Sequence, residues 1–429
     1  MKGSSRAQKQ ALLLAQAHNT TLPQNCDVCI IGGGASGMVA AITAAEAGAK
    51  TVVIEQKLQA AQSILATGNG RCNLANISLA PKHYNHPEFV AEVCGGSWLN
   101  DVLGFWNACG LRWTLEEDRL YPVSRQAASV RNVLLARAKR AGVIVACGRK
   151  VEQLEMHDGA CTIKIADETR EPAQYCSINT YTAIIAVGGG ASSHIAAGLG
   201  LELVPESPIL TPLACKNSPL ASLNGRRAQV IAHIYRNAFP QARERGEVLL
   251  RDYGISGIVC FNLSRHVQPD DVVTLDFAPD YNASELRQIA DPQLSGTLVD
   301  GCLDGVLDPL IAAQIIKLAR KQWGLANDTR ADAPNPAVQA DPLSYALSLA
   351  KSFPLRVSGI AHPELAQVTR GGLDIHQFEP TTLAIQSYPR LFACGEALDI
   401  DADCGGFNLA WAWKSGMVAG SAAAQLCAG

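Results

Sequence analysis

Four glycines crowd the stretch CDVCIIGGGASGMVAA, residues 26–41, and three of them, Gly32, Gly34 and Gly37, fall in G-x-G-x-x-G spacing directly behind an apolar run. The run Asp27–Ile31 is short and β-prone, and Met38–Ala47 is rich in helix formers, so the glycines lie at a strand-to-helix turn. In that context the G-x-G-x-x-G spacing has a physical meaning. Gly32 permits the tight turn, Gly34 lets the backbone approach a pyrophosphate, and Gly37 lets helix and strand pack closely. Ala35 and Ser36 carry the first N–H groups of the helix, whose N-terminus faces the phosphate charge. A second strand, Thr51–Ile54, ends in Glu55, 18 residues beyond Gly37, where an acid accepts a ribose hydroxyl. Strand, glycines, helix, strand and acid in this order predict an adenine dinucleotide site.

The far end of the chain bears on which dinucleotide. Leu391–Cys394 reads as another short apolar strand running into Gly395 and Glu396, and CGGFNLAWAWKSGMVAG sets Gly405 and Gly406 before a helix from about Asn408, with Phe407 at the junction. A glycine-opened helix after a late strand suits a cofactor that crosses the whole sheet and ends in a flavin. The helix N-terminus then points partial positive charge at the N1/O2 edge of the ring. FAD is therefore expected rather than NAD alone.

Composition narrows the class. Of the 429 residues 48% are apolar, yet no apolar run approaches the ~18 residues of a membrane span, which predicts a globular chain of two or three units and no membrane partner. The net charge of -3, from 36 Lys+Arg against 39 Asp+Glu, gives no field for nucleic acid. Fourteen cysteines without a secretory apolar segment predict reduced thiols and a cytoplasmic protein. Residues 1–24 read as a short amphipathic helix or frayed tail.

Five ordered motifs carry a family resemblance: ATGNGRCNLAN at 66–76, RLYPVSRQAASV at 119–130, GEVLLRDYGISGIVCFNLS at 246–264, VTRGGL at 368–373 and GEALDIDADCGGFNLAWAWKSGMVAG at 395–420. The chain resembles the BaiN-type NAD(P)/FAD-dependent oxidoreductases, a family that includes proteins labelled aminoacetone oxidase-like. The resemblance implies an α/β fold: a Rossmann-like FAD-binding domain in two segments, interrupted by a β-barrel-like insert and a small helical insert. The expected boundaries are 25–206 and 365–429 for the FAD-binding domain, 207–280 and 352–364 for the β-rich insert, and 281–351 for the helical insert. The alternation in QVIAHIYRNAF, EVLLRDYGISGIVCFNLS and DVVTLDF agrees with a small antiparallel barrel or sandwich, and PLIAAQIIKLARKQW has helical spacing. The inserted unit is expected to cap the flavin.

The loop ATGNGRCNLAN follows the second strand toward the expected isoalloxazine. Gly68, Asn69 and Gly70 bring backbone amides close, Arg71 can meet the pyrophosphate or flavin carbonyls, and Asn73 can hydrogen-bond the ring edge. Cys72 has no second cysteine about four residues away, so no redox dithiol is expected there. Cys26 and Cys29 have C-x-x-C spacing, but positions i and i+3 of a strand face opposite sides, so no metal or redox chemistry is expected of them either. In AIIAVGGGASSHIAAG, Gly188 and Gly189 follow a strand, but the spacing then gives Ser193 rather than glycine. They are read as passing the adenosine side of FAD, in a loop shorter than the family's. Ser63 stands where the family usually places a basic residue.

Related flavoproteins that reduce activated double bonds resemble VTRGGL, with Thr369 before a glycine pair close to the flavin. Gly371 is assigned to the cofactor, and Thr369 and Arg370 are the catalytic candidates, Arg370 binding a carboxylate or polarising a carbonyl. Tyr121 is a further candidate for lining the ring. No metal-ligand spacing is present among the histidines. The expected function is an FAD-dependent oxidoreductase moving hydride between NADH or NADPH, the expected co-substrate, and a small unsaturated organic acceptor or oxygen. The alternatives are an amine oxidase and an FAD-holding scaffold acting through a macromolecular partner. Substrate identity and oligomeric state stay open.

Overall fold

The computed structural model describes residues 2–157, 159–188, 192–291, 297–322 and 341–428. The chain divides into two units, Met1–Ser207 with Val368–Gly429, and Pro208–Gln367. The fold is α/β, a Rossmann-like domain in two chain segments with an inserted six-stranded barrel and helices, as the sequence predicts.

The first unit is built on β1 (Asn25–Ile31), flanked by β2 (Thr51–Glu55) on one side and Gln174–Ile185 on the other, both parallel to it. Tyr388–Ala393 adds to the far side of Gln174–Ile185, also parallel, so the late strand joins the sheet of the first one. Ile144–Cys147 extends it beyond β2. The central strands read as continuous apolar runs because both faces are covered: Val28, Cys29, Ile30 and Val53 are fully buried.

Helix α1 (Lys2–His18) precedes β1, and helix α2 (Ala35–Glu46) packs on the sheet and meets the last helix, Phe407–Ala428. Their contact depends on small residues. A Cβ on Gly416 would lie 2.5 Å from the Ser36 carbonyl oxygen, and one on Gly420 would lie 2.4 Å from that of Ala40. The backbones approach as closely as glycine four residues apart allows, and this fixes the first turns of α2 against the middle of the last helix. Trp411 Nε1 donates to Gly395 O (3.0 Å), Trp413 Nε1 to Leu74 O (2.9 Å), and Gly395 N to Ser415 Oγ (2.9 Å). The WAWKS segment is thus a clasp between the last helix and two loops of the site.

The second unit is a closed antiparallel barrel of six strands, which leaves no unpaired edge. Helices Ala283–Ala290, Pro309–Gln322 and Pro342–Lys351 share its core. The first opens with a reciprocal cap: Glu285 N donates to Asn282 Oδ1 (2.9 Å) and Asn282 N to Glu285 Oε2 (2.8 Å).

Two local expectations are corrected. The β-prone segment IVCFNLS is a helix, Ile258–Ser264, entered through Gly257 at φ 98°, where a Cβ would lie 2.7 Å from Glu247 O. Burial of Val259, Cys260 and Leu263 against the barrel outweighs the strand propensity of the run. The second correction is on β1, where Asp27 N and Val28 N both donate to Lys50 O (2.9 and 3.2 Å). The pairing of β1 with Gln174–Ile185 keeps a single register across Cys26 and Cys29, so the ladder itself is regular there. The two thiols hydrogen-bond each other, a contact that lowers Cys26 below the usual thiol value and, with burial, raises Cys29.

Candidate functional site

The fingerprint glycines separate by what their missing side chains permit. Gly32 sits at φ 104°, where a Cβ would lie 2.7 Å from Ala186 O, and a Cβ on Gly37 would lie 2.0 Å from Gly32 O. Both are demanded by the fold. Gly34 is different: its backbone is extended, and the nearest atom to a Cβ there is Ser63 Oγ at 4.0 Å. Gly34 caps α2 without any side-chain hydrogen bond, so the first N–H groups of the helix, from Ala35 to Gly37, face a space the protein itself does not fill. Ser36 also touches Gly395, where a Cβ would lie 2.2 Å from Ser36 Oγ. Beside the turn, the Glu55 carboxylate accepts from Gly33 N and Lys57 N, both at 2.7 Å.

The loop after β2 is held in an uncommon conformation. Gly68, Asn69, Gly70 and Cys72 have φ of 55°, 55°, 82° and 58°, a density of left-handed residues that marks functional segments. Burial pushes the Cys72 thiol up to about 12, which leaves it no thiolate at neutral pH. Asn73 is buried, and its Oδ1 has no hydrogen-bond partner. That oxygen lies where a Cβ on Gly406 would be 2.7 Å away, at the start of the last helix. A buried amide oxygen without a donor costs about 1–3 kcal/mol, so its persistence here points to a ligand N–H.

At that helix start Gly405 and Gly406 have φ of 140° and 99°. Phe407 is buried and stacks on His83 with centroids 4.2 Å apart. Asn408 Oδ1 accepts from Ala402 N (2.9 Å), and its Nδ2 donates to Ala402 O (3.0 Å). These two side chains therefore shape the loop, and what they offer a ligand is backbone. Glu396 Oε1 accepts from Thr369 N (2.6 Å), and its other oxygen lies 2.8 Å from where a Cβ on Gly188 would stand. Burial raises the Glu396 carboxyl above the ordinary carboxylate range. Gly371, at φ 91°, faces Pro205 O on the strand Leu203–Ile209, and its N–H donates to Asp399 Oδ1 (3.0 Å). Gly189 lies outside the described residues.

Arg370 is placed differently from its sequence-based reading as a substrate group alone. Its Nε and Nη2 form a fork on Asp401, at 2.7 and 3.0 Å, and Asp401 is fully buried. The hydrogen-bonded carboxylate outweighs burial and holds the guanidinium firmly protonated. Arg71 likewise turns to protein partners, pairing with Glu116 (3.2 Å) and lying over the Tyr121 ring.

The sequence reading missed the segment DIDAD. Asp399, Asp401 and Asp403 alternate along the segment before the last helix, and each carboxylate meets its own partner: His86 Nε2 (3.0 Å), Arg370, and His83 Nδ1 (2.8 Å). The period-two acids were a signal of one face; their partners, more than 300 positions away for the histidines, were not visible locally. Among the described residues no group of three or more His, Cys, Asp or Glu is placed to hold a metal ion, and no helix is long and apolar enough to cross a membrane.

Comparison with known proteins agrees with this architecture. The family model described as HI0933-like protein Rossmann domain matches residues 26–422, which bears out the resemblance carried by the five motifs. The chain is 33% identical over 422 residues to the 3-dehydro-bile acid delta(4,6)-reductase of Clostridium scindens, covering 92% of this chain and 98% of that one. It is 24% identical over 407 residues to the ribosomal RNA dihydrouridine synthase of Escherichia coli, covering 91% and 96%. Among solved structures, the open conformation of a flavocytochrome c3 fumarate reductase superposes with a TM-score of 0.50 at 14% identity, covering 96% of this chain and 80% of that one, a likeness of fold.

Proposed function

The chain belongs to the HI0933-like Rossmann family, and from that premise we propose that it is an FAD-dependent reductase of conjugated carbon–carbon double bonds in small organic molecules, with NADH or NADPH as hydride source. The observation that carries the reading is the unpartnered Asn73 Oδ1 at the start of the last helix, together with the open space before Gly34 at the other end of the cradle. The name of the relative at 33% identity, a delta(4,6)-reductase, supports the reaction class, and the net charge of -3 favours a small substrate over nucleic acid.

In this reading the N–H groups of Ala35, Ser36 and Gly37 bind the pyrophosphate, and Gly34 keeps the approach clear. Glu55, now bonded to Gly33 and Lys57, offers its carboxylate to ribose hydroxyls. Asn73 and the backbone of Gly68–Gly70 hold the ring edge. The last helix aims its partial positive charge at the same place. FAD, when bound, supplies the two-electron hydride chemistry. Arg370, fixed by Asp401, orients a substrate carbonyl, and Thr369 holds Glu396 through its N–H.

The test is anaerobic stopped-flow on the purified yellow protein. NADH or NADPH is expected to bleach the flavin band, and a conjugated enone to restore it faster than oxygen does. If neither nicotinamide bleaches the band, the reading fails.

A further inference from the structure

Beside the left-handed loop stands a charged cluster that the cradle does not use. Tyr121, on the strand Arg119–Pro122, is buried, and its ring edge lies 3.6 Å from where a Cβ on Gly68 would be. Two guanidinium groups flank the ring: Arg71 at 4.3 Å and Arg125 at 5.7 Å from its centroid. Both also reach one carboxylate, Arg71 Nη2 to Glu116 Oε2 (3.2 Å) and Arg125 Nη1 to Glu116 Oε1 (2.6 Å). Glu116 comes from the neighbouring strand Trp113–Glu116, paired with Arg119–Pro122, so the hairpin sets the geometry.

A structural ion pair needs one arginine for one glutamate. Here two arginines share one, and the trio carries a net charge of about +1. All three side chains remain open to solvent, at 43% for Arg71, 34% for Arg125 and 36% for Glu116. Each guanidinium has five N–H donors in a planar fork, far more than Glu116 accepts. Arg125 moreover adopts φ 55°, with its N–H closed onto Pro122 O (2.8 Å), a left-handed backbone state that non-glycine residues rarely adopt. Its guanidinium lies near the Tyr121 ring, next to the loop that would hold the flavin.

We propose that Arg71 and Arg125 form a clamp for a single carboxylate on the substrate, remote from the double bond, so that the enzyme selects monoanionic substrates over their neutral counterparts. Tyr121 spaces the two forks, and Glu116 keeps them apart while limiting their excess charge to one, which matches a carboxylate better than a doubly charged phosphate. The inference rests on the reductase reading above, because it assigns the substrate class of that site.

The experiment titrates the oxidised FAD-loaded protein with a 3-oxo-4-ene steroid carboxylic acid and, separately, with its methyl ester, reading affinity from the shift of the flavin absorption band. The acid-to-ester ratio within each variant is the readout, since general loosening of the site affects both probes. In the wild type the acid should bind about tenfold or more tighter, the scale of a charge-assisted hydrogen bond. Arg125→Gln should bring the ratio close to one, and Glu116→Gln, which raises the net charge of the cluster, should increase it. A merely structural trio would lower the ratio in neither variant or move both in the same direction, and either result overturns the clamp. A wild-type ratio near one, with both probes reduced by NADH or NADPH, overturns the clamp and leaves the reductase reading intact. If neither probe is bound nor reduced, both fall.

Discussion

At the residue scale, glycines with the same spacing do different work, and the difference is testable. Gly32 and Gly37 are set by contacts with Ala186 and with Gly32 itself, while Gly34 meets nothing closer than 4.0 Å. Gly34→Val should therefore fold with a melting temperature within a few degrees of wild type and yet fail to retain FAD, because the new methyl groups occupy the space before α2. Gly37→Val should fail to fold, since a Cβ there already overlaps Gly32 O. Melting followed by circular dichroism, with flavin content measured on the same samples, separates the two; loss of folding in Gly34→Val would show that the open space has a structural cause. The glycine turn was legible because strand, turn and helix follow one another along the chain. The fork of Arg370 on Asp401 was not, since nothing at positions 368–373 announces a buried carboxylate 31 residues later. The contact between the thiols of Cys26 and Cys29 was hidden as well, because the two-residue period of a strand sets positions i and i+3 on opposite faces.

At the element scale, the site stands on the crossing of α2 with the last helix. A one-sided apolar pattern is absent from that helix because Trp411 and Trp413 bury their rings and donate to Gly395 O and Leu74 O, while Gly416 and Gly420 admit the partner backbone. The helix itself could be read from its glycine opening, but the identity of its partner could not, because close approach is a property of two segments 380 residues apart, Ser36 to Gly416. Gly416→Ala inserts one methyl group 2.5 Å from Ser36 O and has to push the first turn of α2 away. The expected destabilisation is about 1–3 kcal/mol, the usual scale of overpacking, with a matching loss of FAD affinity because Ser36 lies in the turn proposed to bind the pyrophosphate. Denaturant unfolding with and without added FAD checks both. An unchanged midpoint would mean that the two helices are free to separate. The IVCFNLS helix shows the opposite limit of reading by pattern: seven residues of strand-like composition are helical because the barrel buries their apolar face.

At the scale of the whole molecule, the insertion leaves the first unit through one strand and returns through its neighbour. Asp374 N donates to Glu202 O (3.1 Å), and Gly371 lies against Pro205, so numbers rise on Val368–Leu373 as they fall on Leu203–Ile209. The two strands are therefore antiparallel, which puts Ser207 beside Thr369, about 5 Å apart by the usual strand spacing. Such adjacency allows the second unit to be replaced by a turn. A chain in which Ser207 is joined to Thr369 through an Asn-Gly pair closes a hairpin from strands that already pair. Every residue assigned here to the cradle, from Gly32 through Glu55 and Asn73 to Glu396 and Gly406, lies in the retained unit. The shortened protein should consequently fold and bind FAD close to one per chain, measured by absorbance after gel filtration. The deleted residues carry their own apolar core, Leu213 to Val357, so their removal leaves the core around β1 complete. A colourless or aggregated product would show instead that the Rossmann-like unit depends on its insert for stability, and the cradle would then have to be sought across the entire chain.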